Sequence, residues 1–98
     1  MAVHEKFLEH VLKLLDEVDG ITYEEEDGYY NIYKNGVEVA GIYDKRFMVK
    51  RTMGNFKREL PQMMNYYPGG TAMFLIESND PWEVKKIIET AYKDLMIN

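Results

Sequence analysis

Asn35-Gly36 stands between two runs of alternating, aromatic-rich residues, and a two-residue connection of this chemistry folds one strand back on another. Both central residues of a type I′ turn need positive φ, which Gly adopts freely and Asn tolerates. The strands it joins are Tyr29 to Lys34 and Val37 to Tyr43. Ile21 to Glu26 supplies a strand before them, and Asp44-Lys45 is a second tight turn leading into Arg46 to Arg51. A side-chain period near 2 through this stretch predicts an antiparallel meander of four strands.

The flanking segments have a different period. Across residues 2–18, Phe7, Val11, Leu14, Leu15 and Val18 recur at helical spacing, with Leu8 and Leu12 widening the stripe. Gly20 is placed to end this helix in a left-handed conformation. Near the other terminus, Asp80 is an N-cap, Pro81 takes the first helical position, and Glu83 completes a capping box. Val84, Ile87, Ile88, Ala91 and Leu95 form the apolar face of that helix. Between meander and helix, Ala72 to Ile76 reads as a buried central strand. Thr52 to Gly70 is a long loop broken by Gly and Pro, with Asn55 to Leu60 as one short helical turn. The expectation is one α+β domain over residues 1–98: helix, four-stranded meander, loop, fifth strand, and a C-terminal helix packed on the sheet.

Length permits one core, since a chain of 98 residues buries roughly 60–65% of the surface its unfolded form exposes. There is no cysteine, which excludes a disulfide framework, a thiolate nucleophile and any Cys-based metal site. The opening Met-Ala-Val-His-Glu-Lys carries charge where a signal peptide places its apolar stretch. No apolar run approaches the roughly 20 residues that span a bilayer, so a cytoplasmic setting without membrane contact is expected.

The motif order resembles a known family. Gly28-Tyr29-Tyr30-Asn31-Ile32-Tyr33-Lys34-Asn35-Gly36 is followed by Val39-Ala40-Gly41-Ile42 and by the segment from Asp44 to Thr52. Leu60-Pro61, Tyr67-Pro68-Gly69-Gly70, Met73-Phe74-Leu75-Ile76-Glu77 and a closing helix come next. This series resembles the N-terminal domain of the TfoX/Sxy competence-regulator family, from about Phe7 to Leu95. The resemblance implies an α+β fold with an antiparallel sheet, a bacterial or archaeal setting, and a role near transcriptional regulation of competence. Where the family pattern has a Met-Phe pair before the glycine, this chain has Glu26-Asp27.

No catalytic constellation emerges from the residues. His4 and His10 are six positions apart, not the i, i+4 pair that lets one helical face hold a metal. Glu24 to Asp27 alternate across a strand, which leaves at most two carboxylates on a side and suits a solvated edge better than a cation site. Ser78, the only serine, stands beside the helix cap rather than in a nucleophile elbow. The expectation is a non-enzymatic module that needs no cofactor.

Three binding readings follow, in order. The first is contact with a protein partner or with a second copy of the chain as a homodimer, through the loop 53–70 and the neighbouring sheet edge. Met63, Met64, Tyr66 and Tyr67 are its candidate residues, because apolar side chains in an irregular loop are either tucked onto the sheet or offered to a partner. The second is nucleic acid, held by Lys45, Arg46, Lys50, Arg51, Lys57 and Arg58 among nearby tyrosines. A net charge of −5 weighs against it. The third is a small-molecule site beneath the aromatic hairpin, lined by Tyr30, Tyr33 and Trp82.

Overall fold

Three two-residue turns build the sheet. In the computed structural model, which describes residues 3–63 and 72–97 (with the backbone alone at 3, 4 and 63), Asp27-Gly28, Asn35-Gly36 and Asp44-Lys45 all have positive φ at both positions. That is the requirement of type I′ hairpins, whose twist matches that of the strands they connect. Strands β1 (Ile21–Glu26), β2 (Tyr29–Lys34), β3 (Val37–Tyr43) and β4 (Arg46–Lys50) therefore pair antiparallel in sequence order. Asp27-Gly28 is a hairpin signal of the same kind as Asn35-Gly36.

The sheet is extended beyond the meander. β5 (Gln62–Met63) and β6 (Met73–Leu75) complete the order β1-β2-β3-β4-β6-β5, so the strand from the 72–76 run lies against β4 with a two-residue edge strand outside it. All pairings are antiparallel. β1 is the opposite edge, and its residues 22–26 are all exposed. Three consecutive glutamates there discourage pairing with another strand.

Helices α1 (Val3–Leu14) and α2 (Pro81–Met96) share one face of the sheet. Leu8, Val11 and Leu14 from the first and Val84, Ile87 and Ile88 from the second meet Ile32, Ile42, Phe47 and Phe74 in one buried cluster. Burying a side chain such as Ile32 contributes about 1.5–3 kcal/mol. The other face has its own smaller cluster of Tyr43, Met48 and Met73, so the sheet is apolar on both sides. Alternation explains the division, since Phe47 and Val49 face the helices while Met48 faces away.

One helix end and one capping contact differ from the sequence expectation. α1 stops at Leu14, because the amides of Asp16 and Val18 bond three residues back, at 3.2 and 3.0 Å, rather than four. The apolar stripe continues past it as tight turns, which still bury Leu15 and Val18. Gly20 follows with φ +78°, and its carbonyl accepts the Asn35 amide at 2.9 Å. At α2, Asp80 Oδ1 accepts from the Trp82 amide at 3.0 Å, as an N-cap should. The Asp80 amide donates to Ser78 Oγ at 3.1 Å, the role expected of Glu83. A residue two positions before the cap reaches that amide with a shorter, stiffer side chain.

Candidate docking groove

The segment after β4 forms a short 3-10 helix, Met53–Arg58, two residues earlier than the helical turn expected at Asn55 to Leu60. It is pinned to α2 by one backbone amide and by the side chains of Asn55 and Arg58. The Gly54 amide donates to Asp94 Oδ2 at 2.7 Å. Asn55, fully buried, donates from Nδ2 to the Ile87 carbonyl at 3.1 Å and accepts at Oδ1 from Arg58 Nε at 2.9 Å. Arg58 extends to Thr90 Oγ1 at 3.4 Å. A Cβ at position 54 would collide with Thr90 Cγ2 and lie 2.7 Å from Asp94 Oδ2, so any larger residue here displaces those two side chains.

The Asp94 carboxyl is held below its ordinary value of 3.8, first by the Thr52 hydroxyl beside it and then by the Gly54 amide. The Thr52 hydroxyl meets no strict hydrogen-bond geometry, so the short Gly54 bond is the contact that fixes the carboxylate.

What this latch presents outward is apolar. Met53 is 80% exposed and Phe56 47% exposed, on a segment whose backbone is anchored to the core. Phe56 stands edge-on to Phe74, with ring centroids 5.4 Å apart. Arg51 lies 5.7 Å above its ring and donates to Gln62 Oε1 at 2.8 Å. Arg51, Met53, Phe56, Asp94 and Leu95 line a groove of about 590 Å³ between the 3-10 helix and the end of α2.

The residues singled out from the sequence fall as follows. Met64, Tyr66 and Tyr67 lie outside the described residues, and Met63 is described only as backbone of β5. The six basic residues do not form one stripe. Lys45 and Arg46 sit at one end of β4, with Arg46 3.6 Å from Asp44. Lys50 and Arg51 are at the other end, about 13 Å along the strand at roughly 3.3 Å per residue. Lys50 faces Glu38 at 3.9 Å on the sheet face away from the helices. Arg58 turns inward to Asn55, Arg51 lies over the Phe56 ring, and Lys57 is exposed.

Tyr30, Tyr33 and Trp82 do not share a cavity. Tyr30 is buried under the helices and Tyr33 is on the opposite face, donating to Glu24 at 3.1 Å. Trp82 is 58% exposed on the first turn of α2, with Lys85 5.3 Å over its ring. His10 Nε2 contacts Asn79 Oδ1 at 3.2 Å. Among the described residues no group of three or more His, Asp or Glu side chains is arranged to hold a metal ion, and no helix is long and apolar enough to cross a membrane.

The latch residues Gly54, Asn55, Thr90 and Asp94 escaped the sequence reading. Their one local signal is an Asn following a Gly inside a short helical turn, which is common in solvent-facing loops as well. No family model, curated protein or solved structure matches the chain.

Proposed function

We propose that this domain is a non-enzymatic regulatory module that docks a segment of another protein in the groove beside the 3-10 helix. The observation that carries this reading is the pairing of exposure with rigidity. Met53 and Phe56 are offered to solvent from a backbone held by Gly54–Asp94 and Asn55–Ile87. Because the backbone that carries these anchors is already fixed, docking does not have to order a loop first. The partner that fits has one or two large apolar side chains next to a carboxylate, which meets Arg51 above the Phe56 ring.

The resemblance to the TfoX/Sxy N-terminal domain supports a regulatory setting of this kind, in a prokaryotic cytoplasm and near transcription or competence. The exposed Phe56 ring under Arg51 also favours a second reading, a single strand of nucleic acid stacked beside it. Binding of that kind weakens steeply with salt, whereas apolar docking does not.

Met53→Glu tests the proposal. It places a charge in the groove at a residue with almost no buried surface, so the fold is retained. Proteins captured by the wild-type domain and by a Lys13→Glu control, but lost from Met53→Glu, are the expected result. An identical set on all three baits would overturn it.

A further inference from the structure

Strand β1 is the edge of the sheet opposite β5, and its register with β2 fixes which backbone groups are left over. The two-residue turn at Asp27-Gly28 makes Glu26 and Tyr29 a hydrogen-bonded pair. By antiparallel alternation, Glu24 then bonds Asn31 and Thr22 bonds Tyr33. The Gly20 carbonyl, which takes the Asn35 amide, continues the same series. The amides and carbonyls of Tyr23 and Glu25 therefore point out of the sheet, and no strand of the described residues lies beyond them.

Side chains sort by face with the same period. Thr22, Glu24 and Glu26 share the face away from the helices with Tyr33. Ile21 and Tyr23 are on the helix face, where Tyr23 meets Tyr30 edge-on, and Glu25 follows them toward the turn. A shallow cleft of about 370 Å³ runs along this edge, lined by Thr22, Tyr23, Glu24, Tyr33 and Gly36. Every one of these residues is exposed or half-buried, so each has surface to offer a ligand. Glu24 takes the Tyr33 hydroxyl on Oε1 at 3.1 Å. Among the described residues, none of Glu24, Glu25 and Glu26 is in an ion pair.

An open row of backbone donors and acceptors beside a side-chain cleft is what strand addition uses, with the backbone giving affinity and the cleft giving specificity. Charge selects the incoming strand. A second copy of this edge brings glutamate against glutamate, and nucleic acid is repelled by the same charges. A Lys or Arg opposite Glu24 fits, because its stem lies along the Tyr33 ring while its cation reaches the carboxylate. Its neighbours in an extended chain turn to the other face, where Tyr23 takes an apolar side chain.

We infer that the β1 edge binds an extended segment of a partner protein in which Lys or Arg alternates with apolar residues. The backbone of Tyr23 and Glu25 holds it, with the basic side chains over Glu24 and Tyr33. This surface shares no residue with the groove beside the 3-10 helix and does not depend on that reading.

The probe is the acetylated, amidated peptide Lys-Val-Lys-Val-Lys-Val. Its counterparts are Glu-Val-Glu-Val-Glu-Val and a fully N-methylated form of the basic peptide, which keeps the charge but cannot donate to a strand. Amide shifts and amide exchange of the full chain are followed during titration. The expected result is saturable shifts centred on β1, slowed exchange at Tyr23 and Glu25, and affinity at least about tenfold weaker for both counterparts. A Glu24→Gln/Glu26→Gln double variant still accepts the Tyr33 and Asn31 bonds, and should lose about tenfold for the basic peptide. Equal binding of either counterpart, undiminished binding by the double variant, or the absence of saturable shifts in β1 would each overturn the assignment.

Discussion

The amide of Gly54 and the carboxylate of Asp94 meet at 2.7 Å across 40 residues of sequence, and this contact fixes the 3-10 helix to the final turns of α2. Because a Cβ at position 54 would run into the side chains of Thr90 and Asp94, Gly54→Ala requires both to shift and displaces the carboxylate that receives the Gly54 amide. Overpacking of this kind costs about 1–3 kcal/mol. Urea denaturation of the variant should show that loss, while Met53→Ser, one residue earlier and exposed, should leave stability within about 0.5 kcal/mol of wild type.

Acid should release the same contact. A carboxyl whose folded-state pKa lies below its unfolded value stabilises the fold above the unfolded value, and that contribution is lost as pH falls through the folded value. Asp94 is such a group, held below 3.8 by Thr52 and Gly54. The latch is therefore intact at neutral pH and opens only at the acidic end of the carboxylate range. The Gly54 amide proton reports on it directly, and its chemical shift should titrate with a midpoint below 3.8. A midpoint at or above that value contradicts the arrangement.

Asn55 is the buried polar centre of the latch, with bonds to Ile87 and Arg58. Asn55→Ala leaves the Ile87 carbonyl and the Arg58 guanidinium short of a partner and should cost about 2 kcal/mol. Amide exchange around residues 53–58 should rise more than exchange in β2 or β3. A uniform rise would mean that the segment is not held separately by this contact.

Lys34 is a second buried polar anchor, on the helix side of β2. Its ammonium donates to the Asp19 carbonyl at 2.7 Å, lies 3.7 Å from Glu89 and stands 5.1 Å over the Tyr92 ring. Removing it strands a carbonyl and a half-buried carboxylate, so Lys34→Ala should destabilise the domain by about 2–4 kcal/mol in thermal or urea unfolding. At the α2 start, Asp80→Ala should cost about 1 kcal/mol through loss of the cap.

Turn chemistry and periodicity made the hairpins and α2 legible, because both are local. Asn35-Gly36 and Asp44-Lys45 carry their own φ requirements, and Asp80-Pro81 marks a helix start without reference to the rest of the chain. Long-range features were not legible for the complementary reason. Nothing near Gly54 announces Asp94, and nothing near Asn55 announces Ile87. The six cations looked contiguous in sequence, but strand alternation and the length of β4 separate them by face and by end. The expected protein-binding loop begins at residue 53. Its described part presents Met53 and Phe56, whereas Met64, Tyr66 and Tyr67 fall outside the described residues.

The central claim is that the face carrying Met53 is where a partner sits. A photo-crosslinking phenylalanine analogue placed at position 53, and in a separate control at Lys13 on α1, tests this in the cell that makes the protein. The account predicts discrete adducts heavier than the monomer from position 53, absent from position 13 and weakened when Phe56→Ser is added. Identical adducts from both positions, or none from position 53, would contradict it. An adduct of twice the monomer mass would assign the surface to a second copy of the chain instead.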